Sequence, residues 1–130
     1  MIKANELRIG NYVNELTVGE IFIPTGKIIK ITEIKFSGIS EVNPIFEHPI
    51  ERNYQQIDPI ALTEEWLLKF GFEKDSRNES YWFFLNKIFI YVGINDLYYY
   101  DYDEGEINIQ YVHQLQNLYF ALTGNELTIN

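Results

Sequence analysis

The chain is 130 residues long, with 46% hydrophobic and 22% charged side chains, 16% aromatic residues and a formal charge of −9. That size and composition fit a single folded domain of two small lobes and exclude a wholly disordered chain. The absence of cysteine excludes disulfides, thiol catalysis and thiolate metal sites, and so acidic a chain makes nucleic acid a poor partner.

In chain order, residues 1–62 read as β structure. Leu7 to Val13 alternates apolar and polar around Gly10, which predicts a strand with a bend or bulge at the glycine. Pro24-Thr25-Gly26 predicts a turn between apolar runs, with Gly26 supplying a positive φ. Lys27 to Phe36 alternates as a half-buried strand. Residues 37–56 lose the period at Gly38, Pro44 and Pro49 and read as a surface excursion. Residues 57–62 read as extended, with Pro59 calling for a sheet edge.

Helical signals begin at Thr63, an N-cap hydroxyl followed by Glu64 and Glu65 at the positive end of the dipole. Trp66, Leu67 and Phe70 form its apolar stripe, and Gly71 is placed to end it. Residues 80–85 and 88–93 predict a hairpin across Asn86-Lys87. Residues 97–102 and 107–109 predict two further strands, joined by a turn at 103–106. A second helix follows over 111–123, with Val112, Leu115, Tyr119 and Leu122 as its stripe and Gly124 as its stop. The expected class is α+β: a small bent N-terminal sheet in lobe 1–62, in the manner of an SH3-like barrel, and a helix–antiparallel meander–helix unit in lobe 63–130.

The chemistry-bearing patterns are sparse. His48 and His113 match no metal-binding or nucleophile motif, and His113 reads as a boundary or surface residue of the second helix. A calcium loop counted from Asp101 fails, because its sixth position is not glycine and its twelfth is Val112 rather than Glu. No glycine-rich phosphate cradle occurs, and no cofactor or metal is expected. Lys27, Lys30 and Lys35 read as solvent-facing strand lysines. Gln114, Gln116 and Asn117 read as water-facing positions of the second helix.

The most unusual stretch is 95–106, where Tyr98, Tyr99, Tyr100 and Tyr102 fall beside Asp101, Asp103, Glu104 and Glu106. Residues 88–130 carry six acidic side chains and no Lys or Arg, whereas the first 87 residues carry 13 acidic and 10 basic ones. Tyrosine gives large contact area at low rotamer cost, and carboxylates steer a basic partner. Tyr98, Tyr100, Tyr102, Asp101, Asp103, Glu104 and Glu106 are therefore the candidate protein-binding residues. An ordinary strand followed by a solvated acidic turn explains the same string.

The strings Leu62-Thr63-Glu64-Glu65-Trp66-Leu67-Leu68-Lys69-Phe70-Gly71-Phe72 and Val112-His113-Gln114-Leu115-Gln116-Asn117-Leu118-Tyr119-Phe120-Ala121-Leu122-Thr123-Gly124 resemble a family of short uncharacterised proteins of Bacteroidetes and their phages and prophages. Leu7-Arg8-Ile9-Gly10-Asn11-Tyr12-Val13 is similar to the family's opening. The resemblance implies a bacterial or phage cytoplasmic setting and carries no catalytic residue.

The function expected is that of a non-catalytic binding protein of phage or prophage origin, such as an inhibitor of a host defence protein. The alternative is a binder of a small ligand such as a nucleotide signal, with Arg8, Lys30 and Arg52 as its basic contacts. A carboxylate-based enzyme stands third. No membrane segment or export signal is expected, since no apolar run reaches ~18 residues, and a homodimer remains open.

Overall fold

The computed structural model describes residues 7–16, 24–37, 41–46, 57–75, 82–102 and 105–129. The chain divides into two compact units, Met1–Ile60 and Ala61–Asn130.

The first unit is an antiparallel sheet of four strands, β1 (Tyr12–Leu16), β2 (Pro24–Ser37), β3 (Glu41–Phe46) and β4 (Ile57–Asp58), in the order β3-β2-β1-β4. Its core is Leu7, Val13, Ile29, Ile31 and Ile57. The expected SH3-like closure is not found: the sheet is open, with β3 and β4 at its two edges. β4 is two residues long and stops before Pro59, which has no N–H to extend a ladder.

Three other expectations are corrected by the strands of this unit. Gly26 has the positive φ expected of it, +84°, but lies inside β2 rather than in a turn. The register there slips, Asn14 pairing with Ile28 but Leu16 with Pro24, so the glycine absorbs a bulge. Residues 41–46 form β3 rather than an irregular excursion, and Pro44 is tolerated because β3 is an edge strand. At the start, residues 7–11 make a turn instead of a strand. Buried Asn11 closes it, its Oδ1 accepting from the Arg8 N–H at 2.7 Å.

The second unit begins with α1 (Glu64–Lys69), capped by Thr63 Oγ1, which accepts from the Trp66 N–H. A five-stranded antiparallel meander follows: β5 (Glu73–Asp75), β6 (Trp82–Leu85), β7 (Ile88–Val92), β8 (Tyr98–Tyr102) and β9 (Gly105–Ile109), in sequence order. Asn86 and Lys87 form the two-residue β6–β7 turn with φ of +47° and +71°, the paired positive values of a type I′ hairpin. α2 (Val112–Thr123) ends at Gly124 in the left-handed conformation.

One face of this sheet is the core face. Phe83, Ile88, Ile90 and Ile109 are buried on it, as are Trp66 and Leu67 of α1, Phe70 at its C-cap, and Val112, Leu115 and Tyr119 of α2. Lys74, which shares that face with its partner Phe83, reaches Glu64 of α1 at 2.9 Å. The buried stripe of α2 differs from the expected one. Leu122 is exposed, whereas His113 and Gln116 are buried. The His113 ring stacks on Tyr111 at 5.8 Å, so packing rather than water surrounds it. Gln114 is also committed, its Oε1 accepting from the N–H groups of Gln110 and Tyr111 and capping the helix.

Candidate functional site

The opposite face of the second sheet has a different composition. Strand alternation and the pairing register set ten residues on it in two rows that cross all five strands. One row runs Glu73, Phe84, Phe89, Asp101, Glu106, and the other Asp75, Trp82, Tyr91, Tyr99, Asn108. Asp101 stands beside Phe89 because Ile90 pairs with Tyr100 one residue away. Rings occupy the middle strands and carboxylates the borders.

The rings touch one another. Trp82 lies 5.1 Å from Tyr91 and 6.4 Å from Phe89, the latter edge-on. Phe84 and Phe89 are 6.2 Å apart, and Tyr91 stacks on Tyr99 at 5.3 Å and 23°. Gly93 makes room for this stack: a Cβ there would sit 2.9 Å from Tyr99 Cε2. Four of the five rings are half-buried and Phe89 is 47% exposed. A hollow of about 460 Å³ opens on this floor, lined by Asp75, Trp82, Phe84, Phe89 and Asp101.

Among the described residues of these two rows the charge has one sign. Glu73, Asp75, Asp101 and Glu106 are acidic, and neither row contains Lys or Arg. Asp101 and Glu106 are directly opposed across the β8–β9 ladder, both exposed. Like charges in that register repel.

The sheet separates the candidate residues read from the sequence. Asp101 and Glu106 stand on the aromatic face, whereas Tyr98, Tyr100 and Tyr102 point to the core side. Tyr100 pairs with buried Ile90 and with Ile107, and stacks on Tyr102 at 6.4 Å. Tyr98 and Tyr100 are half-buried, while Tyr102 at the strand end is 42% exposed. Asp103 and Glu104 lie outside the described residues, as do Arg52 and His48. Arg8 and Lys30 belong to the first unit, where Lys30 Nζ lies 6.0 Å over the Tyr12 ring.

Sequence reading passed over Trp82, Phe84, Phe89, Tyr91 and Tyr99 as a surface. The available signal was that 82–85 and 88–92 are apolar on both faces although only one face meets the helices.

A second hollow, of about 290 Å³, lies on the core side and is lined by Glu64, Lys74, Phe83, Val92, Asp96 and Tyr98. Burial, followed by the charges of Glu64 and Asp96, raises the Tyr98 pKa above its ordinary value, against the opposing effects of a Glu64 backbone hydrogen bond and of Lys74. Its phenol is therefore neutral through the physiological range. Among the described residues no three His, Asp or Glu side chains converge as metal ligands, and no helix is long and apolar enough to cross a membrane.

Comparison with protein-family models, curated proteins and solved structures yields no match.

Proposed function

We propose that the chain is a non-catalytic binding protein that holds a basic protein partner against the aromatic face of the β5–β9 sheet. The observation that carries this reading is the arrangement of that face: five touching rings in the middle, four carboxylates at the borders and no basic residue in either row. Packed aromatic side chains supply desolvation energy at protein interfaces, and border charges set partner choice and association rate. Stacking platforms for single-stranded nucleic acid also use exposed rings, but they surround them with cations, and acidic borders repel phosphates.

The resemblance of residues 62–72 and 112–124 to Bacteroidetes phage and prophage proteins supports a bacterial host as the source of the partner, with inhibition of a host defence protein as the consequence. The test is capture of host proteins on the immobilised chain, comparing the unaltered protein with Phe89→Ser and with Tyr100→Ser/Tyr102→Ser. A basic partner recovered by the unaltered chain and the tyrosine variant, but lost with Phe89→Ser and in about 0.5 M salt, supports the reading. Equal recovery by folded Phe89→Ser contradicts it.

A further inference from the structure

The Asp101–Glu106 pair is the feature of the aromatic face that the described residues do not explain. Two exposed carboxylates face each other on neighbouring strands, about 5 Å apart at Cβ. Continuing the same row, the next residue inward is Phe89, the most exposed ring of the floor. Like-charged cross-strand neighbours are unfavourable in the free protein and become favourable once a cation sits between them.

We propose that this corner is the seat of an arginine side chain of the basic partner. The aliphatic stem and guanidinium plane lie along Phe89, and the guanidinium bridges the carboxylates of Asp101 and Glu106. Two features select guanidinium over ammonium. Its five donors in a planar fork serve two carboxylates at once. Its flat, weakly hydrated face stacks on an aromatic ring. The hollow beside Phe89 and Asp101, about 460 Å³, leaves space for the stem and for the flanking residues of the partner. This inference rests on the binding reading above and narrows it to one side chain and one corner.

The test is calorimetric titration of the full chain, in about 0.15 M salt, with three heptapeptides that alternate glycine with arginine, with lysine or with uncharged citrulline. Titrations are repeated on Asp101→Asn/Glu106→Gln and on a control with the same charge change elsewhere, Glu65→Gln/Glu126→Gln. The arginine peptide is expected to bind at least about fivefold more tightly than the lysine peptide, with no binding of the citrulline peptide. The corner variant is expected to lose about tenfold in arginine affinity together with the preference over lysine, while the control changes less than about twofold. The corner variant should also melt no lower than the unaltered chain, since it removes a repulsion. Equal affinity for arginine and lysine, both reduced in the corner variant, overturns the guanidinium seat while leaving a cation-binding face. Full arginine affinity and preference in the corner variant overturns the location. In that case Phe89→Ser decides the wider reading, which stands if affinity is lost and falls if it is kept.

Discussion

The side-chain amide of Asn86 donates a 2.7 Å hydrogen bond to the hydroxyl of Tyr119, tying the β6–β7 turn to the buried side of α2. Two demands meet at Asn86. Its φ of +47° favours a residue that tolerates the left-handed region, and its amide supplies a partner for a phenol that packing has taken from water. Tyr119→Phe should cost about 1 kcal/mol, the ordinary net worth of such a bond. Asn86→Gly keeps the turn and loses the bond, for a similar cost, whereas Asn86→Ala adds backbone strain and should cost about 2 kcal/mol. Urea unfolding of the three variants measures this, and Asn86→Ala no less stable than Asn86→Gly would show that the turn carries no such demand.

Alternation along β7 makes neighbouring residues answer differently to truncation. Phe89 is exposed on the aromatic face and Ile90 is fully buried on the core face. Phe89→Ser should change stability by about 0.5 kcal/mol or less and abolish partner binding. Ile90→Ala should cost about 2–5 kcal/mol by leaving a cavity. Denaturation midpoints and binding measured on the same two samples separate the effects. Loss of both properties in Phe89→Ser would place that ring in the core.

Gly93 has an ordinary extended backbone, φ −87° and ψ −168°, so alanine is conformationally permitted there. The obstacle is the Tyr99 ring, 2.9 Å from the new Cβ. Gly93→Ala should therefore leave stability within about 1 kcal/mol and shift the Tyr99 ring off Tyr91. Partner affinity should then fall severalfold. Aromatic proton shifts in NMR spectra report the displacement, and unchanged Tyr91 and Tyr99 signals would refute it.

Tyr98 contributes to the alkaline limb of stability. Its pKa is raised in the folded chain, first by burial and then by Glu64 and Asp96, so the folded state keeps the phenolic proton to higher pH than the unfolded state does. The stabilisation is fully present below the unfolded value, about 10, and is lost as pH rises through the folded one. Tyr98→Phe removes a titrating group that only the unfolded chain ionises readily. Stability measured by urea unfolding between about pH 9 and 11 should fall less steeply in the variant. An identical slope would mean that the phenol ionises as readily in the folded chain.

The helices, the hairpin at Asn86-Lys87 and the acidic border at Asp101 and Glu106 were legible in the sequence because each rests on a local rule: a cap, a two-residue turn, a run of charge. The aromatic face was not. Which of Tyr98, Tyr99 and Tyr100 faces the helices depends on the β7–β8 register, and that register is decided by burying Ile90 opposite Tyr100. Clustering drew attention to the alternate set Tyr98, Tyr100 and Tyr102, whereas the rows are completed by Tyr99 with Trp82, Phe84, Phe89 and Tyr91 from strands earlier in the chain. Buried His113 and Gln116 escaped for a similar reason. Composition marks them as surface residues, and only the packing of α2 shows otherwise. Residues 41–46 looked irregular because Pro44 breaks a central strand but not an edge.

Oxidative footprinting of the chain, alone and saturated with its captured partner, tests the central claim most directly, because it reads side-chain exposure ring by ring. The account predicts protection of Trp82, Phe84, Phe89, Tyr91 and Tyr99 on binding, with Tyr102 and Phe120 oxidised as before. Protection confined to Tyr100, Tyr102 and Phe120, with Phe89 still oxidised at its free rate, would contradict it.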